Sequence, residues 1–344
     1  MNDNSYRMIA EWEPQSAILL TWPHAHSDWL SDLDNIESLY VELCRHILTF
    51  QNIILVVYDQ ALQKRIKTRL DASDINDKNI NYVIAKTNDT WTRDYGPLFL
   101  KNQDSFKLMD FTFDGWGNKY EANLDNNINS ILHDSVFTQS IYEQYNFVLE
   151  GGSIDYDGNG SLLTSSQCLL NQNRNPLFSK ENIESHLEST LHINRIHWID
   201  HGHLIGDDTD SHIDILARFS NSKTLIHHIA TDKSDDHFHS LLQMEKQLSQ
   251  LQNCANQHYE LVPLPLPKAM YDGDGKRLAA SYANFLIIND AVLVPIYQNE
   301  KDDDALNILQ DCFPNRNIIG IPFLAAVQQN GSLHCLTMQI PKGI

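Results

Sequence analysis

Apolar residues along this chain recur with two periods. Short runs rich in β-branched and aromatic residues predict strands at Ser16–Trp22 (SAILLTW), Asn52–Tyr58 (NIILVVY) and Leu108–Phe113 (LMDFTF). Ile213–Phe219 (IDILARF) and Lys223–Ile229 (KTLIHHI) predict further strands, and Asn284–Tyr297 (NFLIINDAVLVPIY) predicts a hairpin across an Asn-Asp turn. Between them, Ile36, Leu39, Tyr40, Leu43, Ile47 and Leu48 keep the spacing of one buried helical face. Leu241, Leu242, Leu248 and Leu251 do so less regularly, and Ala305, Leu306, Ile308, Leu309 and Cys312 form a shorter stripe. Strands and helices alternate without a Pro/Gly/Ser-rich linker, so the pattern predicts one α/β domain over residues 1–344. The order suggests a repeated ββα-type unit, although no sequence repeat is visible.

Composition narrows the classes of function. The 344 residues are 42% apolar, ample for a buried core. Lysine and arginine number 25 against 45 acidic residues, and the formal net charge of −20 disfavours nucleic acid and anionic membranes as partners while suiting a small cation. Solubility alone would explain the same charge. No stretch approaches the roughly 20 apolar residues that cross a bilayer, and the start, MNDNSYRMIAEWEP, lacks a signal-peptide pattern, so a cytoplasmic protein is expected. The five cysteines are scattered and never form C-x-x-C, which argues against a disulfide framework and a thiolate zinc site.

Four segments concentrate chemically unusual residues. In NDTWTRDYGP (Asn88–Pro97), Asp94 is a candidate cation ligand and Trp91 a flat wall, although Arg93 and Asp94 also read as a surface ion pair beside a turn. In LEGGSIDYDGNGSLLTSSQCLLNQNRNP (Leu149–Pro176), Gly151 and Gly152 permit a tight bend that presents Glu150 into a pocket. Its D-x-D-G-N-G at Asp155–Gly160 resembles the start of a calcium loop, but Ser166 stands where the loop's glutamate belongs, so a hairpin loop is the reading. In GDDTDSHIDILARF (Gly206–Phe219), His212 and Asp214 would share one face of a strand behind the acidic loop Asp207, Asp208 and Asp210. In NGSLHCLTMQ (Asn330–Gln339), a small-residue turn precedes Cys335, which makes it the best nucleophile candidate of the five cysteines.

Read in order, these segments resemble the agmatine deiminases of the guanidino-modifying, or pentein, superfamily, which includes bacterial enzymes of peptidyl-arginine deiminase type. The resemblance runs from E-W-E-P-Q at Glu11–Gln15 and T-W-P-H at Thr21–His24 through W-x-R-D-x-G-P, F-D-G-W-G at Phe113–Gly117, E-G-G-S, L-L-N-x-N-R-N-P, H-I-D and L-H-C. It implies a five-bladed α/β propeller of ββαβ-like units around a central site with neither metal nor organic cofactor. It further implies Cys335 as nucleophile, His212 as general acid/base, Glu150 as a partner that orients the histidine, and Asp94 and Asp214 as the guanidinium clamp. One departure is visible: where many relatives carry a run of glycines, this chain reads Gln328, Gln329, Asn330, Gly331, Ser332.

The implied reaction is hydrolysis of agmatine to N-carbamoylputrescine and ammonia through a covalent thiouronium intermediate on Cys335. Asp208 is the candidate for the ammonium end, with Trp91 and Trp116 as walls. Deimination of free or peptidyl arginine is the nearest alternative, and relatives suggest self-association. Two other classes stand beside it: a metal-dependent amidohydrolase built on His201, His203, His212 and Asp214, and a catalytically silent guanidine or polyamine binder on the same fold.

Overall fold

The computed structural model, which describes residues 5–344, contains five small sheets of three or four strands. Each is made the same way. An antiparallel strand pair comes first; a helix then carries the chain over to a third strand parallel to the second. The units so formed are Leu98–Lys101, Phe106–Thr112 and Ile141–Val148; Ile154–Tyr156, Ser161–Ser165 and Arg195–Ile199; Ala217–Asn221, Thr224–Ile229 and Glu260–Pro265; and Leu286–Ile288, Ala291–Ile296 and Asn317–Pro322. Helices Ile128–Ser135, Lys180–Leu191, Phe238–Leu248 and Asp302–Cys312 supply the crossovers, which a parallel pair requires because no tight turn can join it.

The fifth unit is assembled from both ends of the chain. Thr337–Pro341 runs antiparallel to Gln15–Thr21, which pairs in parallel with Asn52–Val57 after the helix Leu33–Phe50. Ile80–Ile84 then adds a fourth strand. The repeat suggested by the element order is therefore real, and it is carried by topology without repeated sequence.

Most expected elements lie where periodicity puts them. The helix Leu33–Phe50 buries Ile36, Leu39, Tyr40, Leu43 and Ile47, and the Asn289-Asp290 turn joins Leu286–Ile288 to Ala291–Ile296 with Asp290 at a φ of 58°. Asp155–Gly160 lies in a hairpin, as expected: residues 157–160 form the loop between Ile154–Tyr156 and Ser161–Ser165. One expectation is corrected: Ile213–Ile215 is a turn of 3-10 helix, with His212 just before it, and the strand begins only at Ala217. His212 and Asp214 thus meet through a helical turn, not through strand alternation. Leu293 lies fully buried in the middle strand of its sheet. Leu293→Ala is expected to lower stability in a urea unfolding experiment by about 2–5 kcal/mol through the cavity left behind.

Candidate active site

A short turn precedes the first strand of each unit, and these turns converge. They are Thr92–Tyr95, Gly151–Ser153, Ile213–Ile215 and His334–Leu336, with Asn284 at the corresponding place before Leu286–Ile288. The first three pack on one another, and the last packs against the first. Each unit thereby contributes from the same structural position: Asp94, then Glu150 and Gly152, then His212 and Asp214, then Asn284, then Cys335. Short turns at strand ends are where backbone groups and side chains can face a ligand while the sheets stay buried.

Asp94, His212, Asp214 and Cys335 line one cleft of about 210 Å³, together with Trp91, Trp116 and Asp208. Glu150 lies behind it, fully buried. Every residue singled out for the site is therefore in or against it, but the contacts correct two roles. Glu150 does not hydrogen-bond His212: Arg174 Nε donates to both its carboxylate oxygens at 2.8 and 3.1 Å. A carboxylate oxygen of Glu150, a His212 ring nitrogen and the Cys168 sulfur all lie within 4.8 Å of one another. Arg93 and Asp94 form no surface pair either. Both are buried, and Arg93 donates to the His334 carbonyl at 3.4 Å and to Gln339 Oε1 at 2.7 Å.

The carboxylates of the cleft are held by different donors. Asp94 Oδ2 accepts from the Trp116 indole at 2.9 Å, and Oδ1 accepts from the Gly152 amide at 3.0 Å. Asp214 Oδ2 accepts from His334 Nδ1 at 2.8 Å and lies 4.0 Å from the Cys335 sulfur. Asn284 Oδ1 accepts from the amides of His334 and Cys335 at 2.9 and 3.3 Å and from the thiol at 3.4 Å, fixing the nucleophile's backbone and side chain together. Asp214 Oδ1 and both ring nitrogens of His212 are buried and have no hydrogen-bond partner among the described residues. These are the atoms left over for a substrate, since buried polar groups are otherwise satisfied.

Ionisation follows from this arrangement. Burial, reinforced by the charges of Asp214 and Glu150, pushes Asp94 well above the usual carboxylate range. Asp214 is as deeply buried, but the hydrogen bond and charge of His334 hold it below that range. Burial pulls His212 down to about 3 against the attraction of Asp214, so the imidazole is neutral near pH 7. Burial and then the two aspartates push the Cys335 thiol well up, so in the free protein it keeps its proton.

The mouth of the cleft carries more negative charge. Asp28, Asp89 and Asp208 line it, and among the described residues no lysine or arginine does. Asp208 Oδ2 accepts from the Tyr120 hydroxyl at 2.8 Å and Asn330 Nδ2 at 3.3 Å, so the acidic loop is anchored, not freely solvated. Trp91 Nε1 donates to Asp89 Oδ2 at 3.1 Å. The segment that departs from a glycine run keeps its turn, with Asn330 at a φ of 63° and Gly331 pressed against the Trp91 ring. Gln328, Gln329 and Asn330 line the cleft in consequence.

The metal-site alternative finds less support. His203 Nδ1 lies 3.0 Å from the Ser240 hydroxyl and His201 is exposed, and neither joins His212 and Asp214. Among the described residues the one cluster with metal-ligand spacing is Glu150, Cys168 and His212, whose carboxylate Arg174 already neutralises. Arg174, Asn284 and His334 are the site residues that sequence reasoning left without a role, and Gly152, read only as part of a bend, also donates its amide to Asp94. Arg174 and His334 lie within quoted motifs; Asn284 sits in an apolar run with no local signal.

Known proteins share this fold over nearly the whole chain. An agmatine deiminase of C. jejuni, solved as a cysteine-to-serine variant with substrate bound, is 37% identical and superposes with a TM-score of 0.92 over 99% of this chain and 97% of its own. The agmatine deiminase of Enterococcus faecalis, solved catalysing its reaction, is 27% identical with a TM-score of 0.88 over 98% and 96% of the two chains. A curated relative from Legionella pneumophila is 33% identical over 98% of this chain and 95% of its own length. The family model for Porphyromonas-type peptidyl-arginine deiminase matches residues 7–341. Matched over nearly its whole length, the chain belongs to the Porphyromonas-type peptidyl-arginine deiminase family, within the guanidino-modifying superfamily that its motifs resemble.

Proposed function

We propose that this protein hydrolyses the guanidinium group of agmatine, giving N-carbamoylputrescine and ammonia. One observation carries the choice of substrate: the cleft that holds the thiol is lined by carboxylates from Asp94 and Asp214 at its base to Asp28, Asp89 and Asp208 at its mouth, with no lysine or arginine among the described residues that line it. A dication with a guanidinium at one end and an ammonium at the other matches that distribution. The α-carboxylate of free arginine would meet like charge there, which costs affinity.

In this reading Asp94 and Asp214 accept paired hydrogen bonds from the guanidinium nitrogens and set its carbon before Cys335. The arriving cation makes thiolate formation favourable, and His212, neutral beforehand, takes the thiol proton. Sulfur attacks the carbon to give a neutral tetrahedral adduct. The His212 imidazolium protonates the departing nitrogen, and ammonia leaves behind a covalent thiouronium. Neutral His212 then takes a proton from water as its oxygen bonds the same carbon; collapse expels the thiolate, which takes back the proton held by His212, and the remaining hydroxyl proton passes to solvent, where it leaves with the ammonia as ammonium, as the neutral ureido product is released. Glu150 acts through charge, balanced by Arg174, and not as a direct hydrogen-bond partner of the histidine. Asp208 receives the ammonium end between the walls of Trp91 and Trp116.

We read the five sheets, closed by the pairing of Thr337–Pro341 with Gln15–Thr21, as the blades of a pentein propeller forming one catalytic domain. The unpaired cysteines fit a cytoplasmic location; among the described residues no helix is long and apolar enough to cross a membrane.

The test is ammonia release from agmatine, arginine and an arginine peptide in parallel, with chelator present. Ammonia from agmatine alone, with KM raised about tenfold or more in Asp208→Asn for loss of a charge-assisted hydrogen bond, is the expected result. Preference for arginine or the peptide would overturn the substrate, and loss of activity with chelator would overturn the metal-free mechanism.

A further inference from the structure

Glu11 opens the E-W-E-P-Q segment, and His334 precedes the thiol, yet neither lines the cleft. Both are buried, and they are joined. His334 Nδ1 is 2.8 Å from Asp214 Oδ2, and its Nε2 is 2.9 Å from Glu11 Oε2. Glu11 in turn accepts from Arg218 Nη2 at 2.5 Å and, through Oε1, from the Ile287 amide at 2.8 Å. Arg218 is anchored by the Phe285 carbonyl at 3.0 Å and by Asp155, 3.4 Å from its Nε. On the other side of the ring Arg93 Nε donates to the His334 carbonyl, and His212 lies beyond Asp214 in the cleft.

The geometry of the ring is decisive. A neutral imidazole has one donor and one acceptor, and an acceptor nitrogen facing a carboxylate oxygen is repelled. Here both nitrogens face carboxylate oxygens, so the ring is placed to bridge two carboxylates, one at each nitrogen. The other clamp carboxylate has no such bridge: it accepts from the neutral indole of Trp116 and the amide of Gly152, and His212 Nδ1 stands 3.6 Å from its Oδ1, beyond hydrogen-bond reach. Two buried carboxylates beside one thiol are thereby made unequal.

We propose that His334, held by Glu11, is a positioning residue for the guanidinium: it pins Asp214 by one oxygen, keeps it ionised, and leaves the other oxygen to the substrate. This rests on the guanidinium reading of the cleft. The opposite shifts of Asp94 and Asp214 agree with it, as does Glu11, which Arg218 and His334 hold low in spite of burial. Asp214 is then the fixed negative end of the clamp, and Asp94 the end that loses its proton when the cation arrives. The charge that fixes the substrate is set from outside the cleft, by a residue that substrate does not touch.

Glu11→Gln and His334→Gln in the full-length protein separate this role from a structural one. Either change removes charge from the bridge while keeping volume. KM for agmatine is expected to rise about tenfold or more with kcat changed less, because a clamp that binds ground and transition state alike acts mainly on KM. Asp214, without its cation, takes up a proton at higher pH, so the acidic limb of kcat/KM moves upward in pH in both variants and further in His334→Gln. Folded variants with unchanged KM and an unchanged acidic limb would overturn the proposal, as would a fall in kcat alone. Failure of both to fold would make the bridge a structural element and overturn it as well. A wild-type protein that released ammonia from none of the guanidines would overturn the reading of the cleft instead.

Discussion

Replacing Cys335 by serine is expected to lower ammonia release from agmatine by about 10⁴-fold or more, as loss of a covalent nucleophile does, while agmatine binding stays measurable by calorimetry. The clamp explains the split. Asp94, Asp214 and the acidic mouth are untouched by the substitution, so the cation still enters. What is lost is the atom that becomes nucleophilic when a positive charge arrives. A thiol pushed up by burial and two carboxylates is brought back into range by a guanidinium beside it; a hydroxyl starts several units higher and is not. Asn284 would still accept from the serine hydroxyl, so the fold and the turn should persist. Turnover close to wild type in the serine variant would remove Cys335 from the mechanism.

Gly152→Ala is expected to lower kcat/KM by about 100-fold or more, because a misplacement of around 1 Å at the reacting groups costs that much. A Cβ at this position would stand 2.6 Å from His212 Nδ1, 2.8 Å from Asp94 Oδ1 and 3.1 Å from Asp214 Oδ2. None of these neighbours is a free-swinging end. His212 is almost fully buried, and Asp94 is pinned by Trp116 and by the Gly152 amide itself. The added methyl must therefore displace the acid/base, the clamp, or both, with overpacking that lowers stability by about 1–3 kcal/mol. Steady-state kinetics beside a melting curve would show it. Nearly unchanged kcat/KM would mean that the glycine serves only the bend.

Much of the fold was legible because periodicity is local. NIILVVY, the Ile36 to Leu48 stripe and the Asn289-Asp290 turn each carry their structure in adjacent residues, and each forms as expected. IDILARF failed for a related reason. An apolar run suits a strand as well as any buried segment, and packing of Ile213–Ile215 against the neighbouring turns makes it helical there. The candidate site was legible as a set of residue types in order, with Cys335 distinguished from Cys44 and Cys312, which sit on helical stripes, by the turn before it. Its wiring was not. Nothing near Glu150 announces that Arg174, 24 residues on, will take its carboxylate.

The sequence by itself determined the alternation of strands and helices, the acidic balance, and the identity of the groups able to do chemistry. These follow from spacing and residue type, which are properties of neighbours along the chain. Only the tertiary structure decided that four corresponding turns and Asn284 gather around one cleft, that the C-terminal strand completes the sheet begun near the N-terminus, and that His334 holds Asp214 low while burial pushes Asp94 up. The physical reason is that charge states in a buried site depend on distances of a few ångströms between residues far apart in the chain. Glu11 and His334, which meet at 2.9 Å, are 323 positions apart.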